Sequence, residues 1–321
     1  MFYSVKVNCR KNAGLPQQTN IKRIFIMGDP DSKRYPPEIQ SMPDAFRQLS
    51  DASTFHGVIS AADAASLAQQ MGISLEQLAT KLVPFAQLYA VVPISNYQVG
   101  AVGVGLTGAL YYGANLEVAG EALSFTVHAE QACIANAWVN GEQGLATLAI
   151  SAAPCGYCRQ FLYELVDAAT LTIALPGQPL QPLTYYLPDP FGPHDLGVQG
   201  GLMQAQSNGL SVGQPLDQTG QAALAAANAS YSPYTSTFAG VALRTSAGVI
   251  CAGRYAENAA YNPSMSPLEA ALSQLVFNNQ PFDTIVEAVL VEAPGTASQV
   301  GTTQTVLSAV SSTPLTVYVT S

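Results

Sequence analysis

Hydrophobic and polar positions along this chain change rhythm several times, and each change predicts an element. SAADAASLAQQMG reads as helical, with Ser60 placed to cap its start and Gly72 to close it. SLEQLATKLVPFAQLY follows in the same manner, with Ser74 and Gln77 at capping-box spacing and Pro84 set to kink or end the helix. The pattern then shortens. QVGAVGVGLTGALYYGANLEV, rich in Val, Tyr and Gly around Thr107-Gly108, predicts a β-hairpin. EQACIANAWVNG returns to a helix closing at Gly141, LATLAIS predicts a short buried strand, and CRQFLYELVDA a second helix. Strands alternating with helices predict a layered α/β domain.

The pattern occurs twice, at a fixed offset of 140 residues. Pro93, Gly100, Gly108, Gly113, Glu117 and Ala119 recur as Pro233, Gly240, Gly248, Gly253, Glu257 and Ala259, and Ala153-Pro154 recurs as Ala293-Pro294. Read without a gap, these matches preserve turn residues and predict a duplicated fold. Between the copies, the proline-dense LPGQPLQPLTYYLPDPFGPHD predicts a surface wrap without regular structure.

Composition narrows the possibilities. With 48% hydrophobic and 10% charged residues, the 321-residue chain can bury more than one core. A net charge of −9 gives no counterion-release affinity for DNA or RNA, which leaves a small polar metabolite as the expected partner. Leu82 to Leu116 carries no charge, yet its prolines and glycines deny it a smooth apolar helix, so no membrane span is expected. Five cysteines, an odd number in a large chain, predict no disulfide framework and a reducing, cytoplasmic setting. Seven of the twelve basic side chains fall within residues 1–34, where Ile24-Phe25-Ile26-Met27 is too short for a signal core. The expectation there is an unstructured or artefactual extension, with a basic binding arm as the alternative.

Cys155 and Cys158, in PCGYC, could form a redox dithiol, half of a structural zinc knuckle or part of a catalytic metal site. Upstream, VHAEQACI supplies His128 and Glu130, and H-x-E followed by P-C-x-x-C resembles the signature of zinc-dependent nucleobase deaminases. A catalytic zinc takes three protein ligands and keeps one position for water. His128 and the Cys155 and Cys158 thiolates would be those ligands, with Arg159 near enough to steady the sulfur charge. Glu130 would move protons, which requires the start of its helix, because residues i and i+2 of a regular helix point apart. A structural site would need a fourth ligand such as His56, His194 or Cys133. Cys133 and Cys251 otherwise read as small core residues, and Trp138 as packing.

The chain further resembles the long, two-domain, dimeric cytidine deaminases through PISNYQVGA, YYGANLEV, TVHAEQACI, APCGYCRQFLYEL, YLPDPFGPHDL, AAANAS and RYAENAAYNPSMSPLEAAL. The resemblance implies a cytidine deaminase-like α/β/α layered fold with a mixed sheet, duplicated in one chain behind a small N-terminal helical segment. It implies segments 1–40 (outside the family), 41–86 (helical), 87–190 (catalytic), 191–226 (linker) and 227–321 (degenerate). It also implies cytidine and 2′-deoxycytidine as substrates, one zinc per chain, a cytoplasmic homodimer, and neither nucleic acid nor membrane as partner. Asn115 and Glu117 match positions that hold the ribose 3′-hydroxyl. Tyr97 stands where the family usually has phenylalanine against the pyrimidine, and Phe191 matches a second ring contact. At the offset of 140, His128, Glu130, Cys155 and Cys158 become Leu268, Ala270, Gly295 and Ser298, so the second copy should bind no metal. By the same resemblance its Ala259, Ala260 and Tyr261 would cap the partner chain's nucleoside. The rival readings are a deaminase of another aminated ring, a silent zinc-stabilised binding protein, and an enzyme editing polynucleotide strands.

Overall fold

A computed structural model describes residues 42–50 and 55–320; the predicted 1–40 extension and Cys9 lie outside the described residues. Helix α1 (Asp44–Ser50) leads to strand β1 (Val58–Ile59) and helices α2 (Ala61–Met71) and α3 (Leu75–Gln87). The predicted caps form. Ser60 accepts from the Asp63 N–H and Gly72 closes α2 in the left-handed conformation. Ser74 and Gln77 exchange both capping-box bonds. Pro84 does not end α3, which runs on to Gln87. Burial of Leu82, Val83, Phe85 and Ala86 against the sheet outweighs the one backbone bond that proline forfeits.

The first sheet takes the order β1-β3-β2-β4-β5-β6. The hairpin β2 (Gly100–Gly105) and β3 (Leu110–Ala114) turns at Thr107-Gly108, and helix α4 (Ala129–Val139) then leads to β4 (Leu145–Ile150), antiparallel to β2. Helix α5 (Gly156–Leu162) crosses to β5 (Thr172–Ala174), parallel to β4, and β6 (Gln181–Pro182) closes the edge. After α6 (Leu183–Tyr186) and α7 (Gln218–Asn228), the pattern repeats. Strands β7 (Ala239–Thr245) and β8 (Ile250–Arg254), helix α8 (Pro267–Phe277), β9 (Ile285–Glu292), helix α9 (Val300–Val310) and β10 (Leu315–Val319) form a sheet ordered β10-β9-β7-β8. Each sheet has one parallel pair, β4 with β5 and β9 with β10, so both sheets are mixed.

Two glycine pairs matched by the repeat lie inside strands instead of turns. A Cβ on Gly113 would meet the Ala129 carbonyl oxygen at 2.0 Å, and one on Gly253 the Pro267 oxygen at 2.1 Å. Gly100 and Gly240 press likewise on α3 and α7. Helices thus pack on both faces of each sheet at a distance no side chain would allow. The two copies meet through α4 and α8 around one continuous core, where Tyr89 and Phe277 rings lie 5.5 Å apart and the Arg254 guanidinium sits 5.0 Å from the Trp138 ring.

Two expectations need correction. The proline-dense connection carries β6, α6 and a 3-10 turn at Pro193–Leu196, because Pro182 sits at the sheet edge, where its missing donor costs no ladder bond. CRQFLYELVDA is helical only to Leu162. Beyond it, the Val166 N–H turns to the Leu202 carbonyl, and the Glu164 carbonyl receives the Leu202 N–H.

Candidate active site

His128 is the cap residue of α4, with φ −84° and ψ 154°, just after the Val127–Leu116 bridge that pins the chain to the sheet. That extended cap lets His128 and Glu130 turn toward one place although they stand two positions apart. Cys155 caps α5 in the same conformation, and its Sγ accepts from the Cys158 N–H. The Cys155 Sγ lies 3.6 Å from His128 Nδ1 and 3.6 Å from the Cys158 Sγ. Two sulfurs held at about 2.3 Å by one tetrahedral zinc would be about 3.8 Å apart, so the donor set fits the metal. All three donor atoms lie within 4.8 Å of one another, and among the described residues theirs is the group able to hold a metal.

Protons are shared unevenly in this cluster. Hydrogen bonds from Cys158 and His128 hold the Cys155 thiol far below its ordinary range, while that thiolate and burial push Cys158 up. The bond to Cys155 raises His128 against the effect of burial. Glu130 is 4% exposed. Burial pushes its carboxyl above the usual range, opposed by a backbone N–H, the Cys158 thiol and His128. Cys158 is buried, whereas Cys155 is exposed, so one side of the cluster faces solvent. Cys133 donates its thiol to the Tyr111 carbonyl and supplies no fourth ligand. The site is thus that of a metal-dependent hydrolase, with an open coordination face and a buried acid–base group beside it, and not a closed structural zinc knot.

Asn115 and Glu117 flank Leu116, which bridges to Val127 just before His128. Asn115 accepts from the Val99 N–H and donates to the Tyr97 carbonyl, both at 2.9 Å. Glu117 accepts from the Ile94 and Ser95 N–H groups and from the Ser95 hydroxyl. Both side chains, buried at 8% exposure, therefore shape the 94–99 loop. Tyr97 and Phe191 are largely exposed, and the Phe191 carbonyl accepts from Gln160 on α5 at 2.8 Å. Ala259 is buried, with its N–H on Glu164 of the same chain, while Ala260 and Tyr261 are exposed and Tyr261 has φ +62°. Arg159 does not serve the sulfurs: it donates to the Pro154 and Tyr186 carbonyls and lies over the Tyr186 ring, tying α6 to α5.

Sequence reasoning passed over Gln131 and Tyr157. Gln131 accepts the His128 N–H, and the Tyr157 ring stacks on His128 at 5.4 Å. Gln131, three positions past the cap, does carry a capping signal.

The offset of 140 also fails locally. Val127 follows Leu116 by eleven positions in the first copy, but Met265 follows Ala256 by nine in the second. The caps therefore align His128 with Ser266 and Glu130 with Leu268, in place of the Leu268 and Ala270 of an ungapped reading. Ligands and shuttle are still lost. Leu268 is fully buried where Glu130 would stand, contributing about 1.5–3 kcal/mol of apolar burial.

Residues 73–174 and 183–304 each match a family model described as the cytidine and deoxycytidylate deaminase zinc-binding region. The chain is 44% identical over 277 residues to a cytidine deaminase of Vibrio atlanticus, covering 85% of this chain and 94% of that protein. It is 45% identical over 259 residues to one of Vibrio vulnificus, covering 80% and 88%. A crystal structure of cytidine deaminase from Mycobacterium tuberculosis matches at 30% identity and a TM-score of 0.34, over 36% of this chain and 96% of that one. The chain belongs to the cytidine deaminase family, in the form that carries two deaminase regions in one polypeptide.

Proposed function

We propose that this protein is a zinc-dependent cytidine deaminase that hydrolyses cytidine and 2′-deoxycytidine to the uridine nucleosides and ammonia. The observation that carries the reading is the His128, Cys155 and Cys158 cluster, open on one side, with buried Glu130 on the same helical turn as His128. Zinc, when bound there, brings the pKa of a coordinated water to about 7. Water adds to the ring carbon that bears the amine; Glu130 takes one of the water's protons at its carboxylate and passes it to the pyrimidine ring nitrogen. Glu130 then takes the remaining proton from the added hydroxyl and gives it to the amine as the carbon–nitrogen bond breaks, which leaves a carbonyl and ammonia. Its burial fits this task, since a raised carboxyl pKa matches proton transfer near neutrality.

Asn115 and Glu117 are assigned to the sugar. Glu257 makes the corresponding bonds to Tyr234 and Thr235 in the second copy, so holding the loop is the first use of this carboxylate and reading a hydroxyl the added one. Tyr97 and Phe191 are assigned to the pyrimidine ring. The second copy (227–321) is assigned as metal-free, linked by 191–226 to a catalytic copy at 87–190.

Further parts of the proposal are homodimerisation, a cytoplasmic role in pyrimidine salvage, and capping of the partner's nucleoside by the exposed Ala260 and Tyr261, beside Ala259. The net charge of −9 favours a nucleoside over a polynucleotide. No helix among the described residues is long and apolar enough to cross a membrane.

Glu130→Ala tests the chemistry. The variant is expected to keep its zinc, by metal analysis, and to lose at least about a hundredfold in kcat on cytidine. Full turnover in the variant would remove Glu130 from the reaction.

A further inference from the structure

The loops that follow Glu117 and Glu257 correspond in the two copies but differ in length and burial. After Glu117 the first copy runs through residues 119–124, mostly exposed; after Glu257 the second runs through a stretch two residues shorter, in which Asn258 and Ala259 are buried. The catalytic copy of the same chain packs against them. Asn258, with no exposed surface, donates through Nδ2 to the Gln160 carbonyl at 2.9 Å, and its Oδ1 accepts from Gln160 Nε2 at 3.4 Å and from the Ala260 N–H at 2.9 Å. Gln160 Nε2 also donates to the Phe191 carbonyl. Next in the chain, the Ala259 N–H donates to Glu164 at 2.9 Å. Beyond it, the Pro263 carbonyl accepts from Gln131, the residue that holds the His128 N–H. One loop of the metal-free copy therefore touches the start of α4, the helix α5 that bears the cysteines, and, through Gln160, the segment bearing Phe191.

We propose that Asn258 is a positioning residue for nucleoside binding, acting within its own chain through Gln160 to set the place of Phe191. The proposal rests on the reading of this site as a nucleoside site with Phe191 against the ring. A buried amide must keep its partners, so the Asn258–Gln160 pair admits one arrangement of the two backbones. Small displacements of a substrate-contacting group are costly in rate or affinity. The metal ligands have their own anchors in the Leu116–Val127 bridge and the cap of α5, so the effect falls on binding.

The test compares Asn258→Ala, Gln160→Ala and the double variant for KM, kcat and zinc content with cytidine. Each single variant is expected to raise KM about tenfold, with kcat within about threefold of the parent and zinc unchanged; the double variant should fall short of additivity, since both break the Asn258–Gln160 side-chain link to Phe191, although the Asn258 bond to the Gln160 carbonyl survives Gln160→Ala. Gln160→Ala, at a half-buried position, provides the answer if Asn258→Ala does not fold. An unchanged KM in Gln160→Ala, a fall in kcat alone, or additive effects in the double variant would overturn the proposal. If the parent, loaded with zinc, does not turn over cytidine, the functional reading itself fails, an outcome separate from these.

Discussion

At the residue scale, the decisive groups are those whose surroundings leave them a single use. Glu130 is buried beside three metal donors, and Glu269, at the cap of α8, is buried without a metal. Burial pushes Glu269 up to about 7, against the bonds that Ser266 donates. Its folded pKa thus lies above the unfolded value, so the stability it provides is complete below about 4.5 and is lost as pH rises through about 7. Glu269→Gln keeps an acceptor for the Ser266 N–H and removes the titration. Between pH 5 and 8, its unfolding free energy in urea melts is expected to improve on the parent's by about 2 kcal/mol. A constant difference across that range would contradict the assignment. His128, Glu130, Cys155 and Cys158 were legible in the sequence, because H-x-E followed by P-C-x-x-C resembles the zinc deaminase signature and zinc chemistry accounts for the residue types. Asn258 and Glu164 were not: their partners lie 98 and 95 positions away, and no local period marks a contact made only on folding.

At the element scale, short spacings decided what could be read. The Ser60 and Ser74 caps, the Thr107-Gly108 turn and the strand–helix alternation are local, and the chain follows them. Pro84 and the length of α5 are decided by tertiary contacts, and local rules miss them. Gly113 is the position at which β3 and α4 touch backbone to backbone. Gly113→Ala is expected to cost about 3 kcal/mol or more, seen as a lower Tm, because the helix that carries His128 would have to move off the sheet. A Tm within a degree of the parent's would contradict so close an approach.

At the scale of the whole molecule, the second copy is tied to the first through Glu164. Glu164 accepts from the Tyr231 and Tyr234 hydroxyls and the Ala259 N–H, three groups of the second copy. Glu164→Ala leaves them without an acceptor and is expected to cost about 3 kcal/mol in a denaturant melt, with zinc still bound. Loss of less than about 0.5 kcal/mol would show the docking to lie elsewhere. The duplication was legible from repeated Gly, Glu and Pro positions, whereas the two-residue shortening after Glu257 was not, because matches on either side of it keep the offset of 140. Despite two zinc-binding family regions, the chain holds one complete donor set among its described residues. The most direct measurement is therefore cytidine turnover followed while zinc is titrated into metal-stripped protein. The account predicts activity rising linearly to a plateau at one zinc per chain; a plateau at two, or full activity without zinc, would contradict it.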